Sequence, residues 1–470
     1  MMSQASAVLA GFLALLACLV PGTVAAAESA TRLDLMSHPA GLASLALFAI
    51  AYVLVMTEEL VHLRKSKPVI VAAGLIWGLI ASVYARHGLT REAETAVRHA
   101  FLEYAELMLF LLVAMTYINA LEERRVFEAL RAWLIRKGFG LRALFWLTGT
   151  LAFCISPVAD NLTTALLMCA VVLAVGGEDR RFVTLACVNI VVAANAGGAF
   201  SPFGDITTLM VWQKGMVDFF GFFALFIPAL VNWLVPAALM HRAVPDRQPE
   251  TSSVAVPMKR GARRIMALFL LTIATAVSFH NFLHLPPVIG MMTGLGFLQF
   301  FGFFLRITHH RWRTRNGHRP AALEDVLPFD VFNKVARAEW DTLLFFYGVV
   351  LCVAGLGFIG YLELTSEIMY TQWGATAANI GVGLISAVVD NIPVMFAVLT
   401  MNPDMGHTQW LLVTLTAGVG GSLLSIGSAA GVGLMGQSRG MYTFLGHLKW
   451  TPAIALGYFA SIAVHLWLNG

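Results

Sequence analysis

Charge is what this chain has least of. Asp, Glu, Lys and Arg make up 12% of its 470 residues, against about 25% in a typical soluble domain, and the mean hydropathy is +0.76. An ordinary water-soluble globule is excluded. Cysteine is sparse as well. Cys18, Cys154, Cys169, Cys187 and Cys352 are scattered through apolar stretches with no CxxC pair and no metal-ligand spacing, which rules out a disulfide framework or a zinc site and makes them small core hydrophobes. Basic residues in a chain this apolar report topology, and no nucleic-acid partner is expected. The formal charge of +4 matters for its distribution, which reports membrane topology.

What the chain has instead is apolar length. Runs of about 20 residues, enough to cross ~30 Å of hydrocarbon, recur from residue 41 to residue 468. The expectation is an all-α polytopic membrane protein in the lipid bilayer, with crossings at 41–62, 68–85, 101–121, 182–213, 217–241, 263–283, 286–306, 341–361, 408–436 and 449–468. Two further apolar segments, 141–176 and 374–402, are interrupted by Pro157 with Asp160-Asn161 and by Asp390-Asn391 with Pro393. Each reads as a re-entrant hairpin, because polar, non-helical backbone is tolerated at membrane depth only inside protein or beside a cavity. LEERRVFEALRAWLIRKGF at 121–139 has the spacing of an interfacial amphipathic helix. Residues 1–27, with an apolar stretch at 7–20 and Ala25-Ala26-Ala27 before Glu28, resemble a cleaved signal peptide, which puts the mature N-terminus in the periplasm of a bacterial inner membrane.

Charge counting supports this topology. Of 31 Lys and Arg residues, 26 fall in loops on the expected cytoplasmic side, leaving only Arg32, Arg86, Arg91, Arg98 and Lys214 on the other. Reading either hairpin as a full crossing would flip everything downstream and destroy the agreement with the positive-inside rule.

The chain also repeats itself. SPVADNLTTALL at 156–167 and SAVVDNIPVMFA at 386–397 share Ser, Val, Asp and Asn at a constant offset, and NAGGAFSPFGD at 195–205 matches GVGGSLLSIGS at 418–428 through Gly197/Gly420, Gly198/Gly421 and Gly204/Gly427. AELMLF at 105–110 aligns with WDTLLF at 340–345, placing Glu106 opposite Asp341. Two repeats follow, 41–241 and 263–468, joined by a cytoplasmic linker at 242–262. Each has five crossings, one hairpin and one broken helix (182–213 and 408–436). Five is odd, so the second repeat is inverted relative to the first, an arrangement that puts a binding site near the bilayer midplane.

An Asp at that depth raises the insertion energy by about 2.5–3.5 kcal/mol. Asp160, Asp390, Asp205, Glu106 and Asp341 all qualify, and the expectation is that no Lys or Arg lies near enough to neutralise them. Such acids must hold protons or bind a cation, and a group that alternates between the two exchanges cations for protons. Na+ is a hard ion suited to oxygen ligands. Asp160, Asn161, Thr163, Asn195, Asp205, Thr207 and Thr208 supply them in the first half, and Asp390, Asn391, Ser425 and Ser428 in the second. Asp205 has Ser428 as its counterpart, so the first half is expected to carry the main charged site. The glycines at 197, 198, 204, 420, 421 and 427 allow the helix breaks. His99 precedes Glu103 by one helical turn and is a candidate pH sensor. No cofactor and no enzymatic step are implied.

ADNLTTALLM at 159–168 and NAGGAFSPFGDITTLMVWQ at 195–213 resemble the NhaD family of sodium/proton antiporters, over roughly residues 40–468. The resemblance implies exchange of Na+ or Li+ for H+, a homodimer on a scaffold domain, and elevator-like movement of the hairpin-bearing part. It carries the ion-site role onto Asp160, Asn161, Asn195, Asp205, Thr207, Thr208, Asp341, Asp390, Asn391, Ser425 and Ser428, with Glu106 and Glu339 less firmly placed. Two other readings compete. A sodium-coupled carboxylate carrier of the same superfamily is disfavoured by Asp at both tips, where an anion would sit. An intramembrane aspartyl protease would use Gly204-Asp205 and a second Asp as an acid/base pair, but no Tyr-Asp partner motif accompanies it.

Overall fold

The computed structural model describes residues 33–58, 63–176, 179–248, 255–315 and 329–470; the expected signal peptide, with Cys18, lies outside them. The described residues form helices and no strand: α1 Pro39–Met56, α2 Ser66–Arg86, α3 Thr90–Glu123, α4 Val126–Arg136, α5 Leu141–Ala159, α6 Asn161–Gly176, α7 Arg180–Gly198, α8 Ile206–Gln213, and a 3-10 turn Gly221–Leu225 that runs into α9 Phe226–His241. The second half continues with α10 Ala262–Leu283, α11 Pro287–Arg315, α12 Val331–Ala336, α13 Trp340–Ile359, α14 Tyr361–Ser366 with a π-turn Glu367–Gln372, α15 Ala375–Ser386, α16 Asn391–Met401, α17 His407–Gly420, α18 Ala429–Gln437, α19 Phe444–Leu448 and α20 Thr451–Asn469.

Ten helical stretches among the described residues are long and apolar enough to cross a membrane, which makes the chain an all-α polytopic membrane protein. They are not the same ten as the expected crossings. Leu141–Ala159, read from sequence as half of a hairpin, reaches 19 residues and qualifies by length, whereas the expected crossing at 408–436 divides into α17 and α18 of 14 and 9 residues. Pro157 does not interrupt α5 either. It sits in the last turn, where its missing N–H leaves the Phe153 carbonyl without a helical partner, and the chain turns only at Asp160. The sequence reading also missed α14 and the π-turn after α13. Cys154 corrects the view that every cysteine is a core residue: it is exposed on α5, while Cys169, Cys187 and Cys352 are buried.

By internal contacts the chain falls into two compact units, and each draws on both halves of the sequence. The smaller comprises Ala105–Gly138 and Thr251–Trp340. Its interior is tied by the Tyr117 hydroxyl, which donates to the Gly294 carbonyl at 2.6 Å and accepts from Thr272 Oγ1 at 2.9 Å while the ring stacks on Phe269. Lys334 is buried there and forms an ion pair with Glu123. The amphipathic α4 is set off from α3 by Arg125, which adopts a left-handed φ of 59°.

The larger unit comprises Met1–Tyr104, Phe139–Glu250 and Asp341–Gly470. Its packing has a regular plan. Helix α5 packs on α7 as α15 packs on α17, and α6 packs on α7 as α16 packs on α17. The second arms then exchange partners, α6 lying against α18 and α16 against α8. Matching hydrogen bonds fasten each hairpin to its own broken helix: Ser156 Oγ donates to the Ala194 carbonyl at 2.6 Å and Ser386 Oγ to the Ala417 carbonyl at 2.8 Å. The breaks, 199–205 and 421–428, are built alike. A Cβ on Gly198 would stand 2.6 Å from the Gly204 carbonyl oxygen, and a Cβ on Gly421 2.6 Å from that of Gly427, so close backbone approach requires glycine at both.

Candidate ion-binding site

Short polar side chains begin the helices that follow the interruptions, because the first N–H groups of a helix need acceptors and its positive end favours anions. Asp205 caps α8 and Ser428 caps α18 with nearly the same extended backbone, φ/ψ −148°/146° and −145°/151°. Asp160 precedes α6 and Asp390 caps α16, but here the halves differ. Asp160 has φ 56° and ψ 162°, whereas Asp390 has φ −46°. A non-glycine residue in the former region is strained by about 1–3 kcal/mol, and such strain gathers at functional sites.

Asp205 is the centre of the polar cluster. It is 4% exposed and both carboxylate oxygens accept hydrogen bonds. Oδ1 takes the Thr207 N–H at 2.9 Å and the Thr207 hydroxyl at 3.0 Å. Oδ2 takes Asn161 Nδ2 at 2.9 Å, and Asn391 Nδ2 reaches Oδ2 at 3.1 Å and Oδ1 at 3.3 Å. The two hairpin tips therefore meet on one carboxylate. Asn161 Nδ2 also lies 3.0 Å from Asn195 Oδ1, and Asn195 Nδ2 donates to Ser428 Oγ at 3.0 Å. Side chains from α6, α7, α8, α16 and α18 thus converge, every one from the region of an interruption. Asn195, Thr207 and Ser428 are buried with Asp205, as is Asn391.

Other candidates are committed elsewhere. The Asp160 carboxylate accepts from the Thr163 N–H and hydroxyl, both at 2.8 Å, so it caps its own helix. Thr208 Oγ1 donates to the carbonyls of Ser201 and Asp205 at 2.8 and 2.6 Å, bracing the first break. Ser425 Oγ lies 3.3 Å from the Met435 sulfur. Asp341, in the first turn of α13, accepts a 2.5 Å hydrogen bond from Ser66 Oγ. Glu106 and Glu339 belong to the smaller unit, Glu106 half-buried on α3 and Glu339 exposed before α13. His99 is exposed, with Nδ1 3.1 Å from Glu103, which also pairs with Lys214. Asp390 Oδ1 accepts the Ile392 N–H at 3.4 Å, and the ammonium of Lys65 lies 4.7 Å from the centre of the Phe345 ring.

In chemical terms the cluster is one carboxylate ringed by neutral amides and hydroxyls. It offers oxygen ligands to a hard cation, or a lone pair to a proton, at the meeting point of discontinuous helices. These features define a cation-handling membrane transporter. Comparison with known proteins agrees. Residues 8–418 match the family described as Citrate transporter, CitMHS. The Na(+)/H(+) antiporter NhaD of Alkalimonas amylolytica is 64% identical over 97% of each chain, and that of Vibrio cholerae is 61% identical over 96% of each. Sodium/proton antiporter 1 of Arabidopsis thaliana is 29% identical over 89% of this chain and 71% of its own. The chain belongs to the NhaD family of Na+/H+ antiporters, within the broader CitMHS group. Membership sets aside the protease reading.

Proposed function

We propose that the protein exports Na+ or Li+ from the cytoplasm in exchange for H+, contributing to sodium and pH homeostasis, with Asp205 as the group for which the two ions compete. One observation carries this reading: the amides of Asn161 and Asn391, from opposite hairpins, both address the Asp205 carboxylate. The same lone pairs bind a proton or a cation, so occupancy by one excludes the other. An Asn side chain presents Nδ2 to a bare carboxylate and, turned about its terminal bond, presents Oδ1 to a metal ion. Asn161, Asn195 and Asn391 would turn in this way as Na+ enters, with Thr207 Oγ1 and Ser428 Oγ completing the oxygen set. Helix N-termini at Asp205 and Ser428 stabilise the anionic state between the two occupancies.

The distribution of basic residues supports an inner-membrane orientation with a periplasmic mature N-terminus and two re-entrant hairpins, and the alternating packing of α6 on α18 and α16 on α8 supports two repeats of inverted topology. The reading includes a homodimer and movement of the hairpin-bearing part, both of which the family resemblance implies. Asp160, Asp341 and Asp390 serve in this scheme as charges near the route, not as the shared ligand.

The test uses inverted vesicles with an imposed proton gradient and an internal pH dye. Na+ or Li+ should dissipate the gradient, and Asp205→Asn should abolish the response. A protein that ignores Na+ while citrate or succinate drives ion uptake would be an anion carrier, and the proposal would fall.

A further inference from the structure

The two helix breaks share their glycine geometry but differ in the side chains that satisfy their carbonyls. Carbonyls released where a helix unwinds need donors when buried. In the first break the donors are local: the Ser201 carbonyl takes the Thr208 hydroxyl at 2.8 Å and the Gly204 N–H at 3.0 Å. In the second the Leu424 carbonyl likewise takes the Gly427 N–H at 3.3 Å, but two further donors arrive from beyond α18. His447 Nε2 lies 2.9 Å from the Ser422 carbonyl oxygen, and Thr451 Oγ1 donates to the Leu423 carbonyl at 2.8 Å. A carbonyl only accepts, so Nε2 carries the proton. On the other side of the ring, Nδ1 lies 2.7 Å from the Tyr442 hydroxyl, which serves as donor to it. Ser422, Tyr442 and His447 are all buried. The supporting loop is itself anchored, since the Tyr442 N–H donates to Ser438 Oγ at 3.2 Å and Thr184 Oγ1 donates to the Met441 carbonyl at 2.8 Å. What this brace holds is the segment that ends at Ser428, whose hydroxyl accepts from Asn195 and so joins the Asp205 cluster.

We propose that His447 and Thr451 are positioning residues for the transported cation: by binding the Ser422 and Leu423 carbonyls they fix the second break so that Ser428 meets Asn195. The proposal rests on Asp205 as the ion site and extends it to a brace that touches no ion. Glutamine reproduces the Nε2–H donor of this tautomer, whereas alanine leaves the Ser422 carbonyl without it.

The test compares full-length wild type, His447→Ala, His447→Gln and Thr451→Val in proteoliposomes with an imposed pH gradient and titrated Na+. His447→Ala and Thr451→Val should each raise the KM for Na+ about tenfold with the maximal rate within about twofold, the expected consequence of orphaning one buried acceptor next to the site. His447→Gln should restore the KM to within about twofold of wild type. Thr451→Val removes a single hydroxyl and reads the same quantity if His447→Ala fails to fold. An unchanged KM in Thr451→Val, or a fall in rate without a change in KM and without rescue by glutamine, would overturn the proposal while leaving the antiporter reading intact. A wild type without Na+ response would strike the antiporter reading itself.

Discussion

Asn391 stands 186 residues beyond Asp205 in the sequence and 3.1 Å from it in space. Asn161, from the other hairpin, reaches the same carboxylate oxygen at 2.9 Å. Two segments that resemble each other in sequence thus converge on one residue that has no acidic counterpart in the second half, where Ser428 takes its place.

The first prediction concerns these amides. Asn161→Ala and Asn391→Ala each remove a neutral donor from a buried carboxylate, an interaction contributing about 1.5–3 kcal/mol. Each variant should raise the KM for Na+ by roughly tenfold or more, measured by dissipation of a proton gradient in vesicles. Unchanged KM values would show that the amides do not share in ion binding.

The second prediction separates the two tips by backbone conformation. At Asp160, φ is 56°, a region in which glycine is at ease and alanine is strained, while at Asp390 φ is −46°. Asp160→Gly should therefore be more stable than Asp160→Ala by about 1–2 kcal/mol. At Asp390 the order should reverse, with Ala the more stable. Thermal inactivation of the detergent-solubilised variants, followed by loss of the monodisperse peak, reads both comparisons.

Much of this was legible in sequence because membranes restrict the options. Apolar length revealed the helices, and the shared Asp-Asn and Gly-Gly spacings located the interruptions. Of the eleven residues named for the site, Asn161, Asn195, Asp205, Thr207, Asn391 and Ser428 meet in one hydrogen-bonded cluster, whereas Asp160, Thr208, Asp341, Asp390 and Ser425 bond to other partners. Asp160 and Asp205 both precede helices and both carry Thr nearby, so the sequence did not show that Asp205 caps its helix and also gathers the two amides, while Asp160 accepts from Thr163. Nor did it reveal the contact of His447 with Ser422, which depends on which elements pack together and has no periodic signature.

The third prediction follows from the close backbone approach at the breaks. Gly198→Ala and Gly421→Ala would each force a Cβ to 2.6 Å from a carbonyl oxygen across the break. Backbone on both sides leaves no flexible side chain to yield. Both variants should lose exchange activity almost completely, to a similar degree, with Gly74→Ala as a control, because nothing stands within 4 Å of a Cβ there. Retention of activity in one break alone would mean that only the other must keep its geometry through the cycle.

The fourth prediction distinguishes acids that hold the ion from those that do not. Asp341 bonds Ser66 Oγ at 2.5 Å, whereas Asp205 gathers donors from both tips. A group that binds the cation in the ground state affects KM, and one that assists a later step affects the maximal rate. Asp341→Asn keeps a side chain able to accept from Ser66, so it should lower the maximal rate severalfold while the KM for Na+ stays within about twofold. Asp205→Asn should show no saturable Na+ response at all. Ser66→Ala should resemble Asp341→Asn in kind and be milder, because the carboxylate remains. If Asp341→Asn instead raises the KM as steeply as Asn391→Ala does, Asp341 would have to be counted among the ligands, and the single-carboxylate site centred on Asp205 would have to be abandoned.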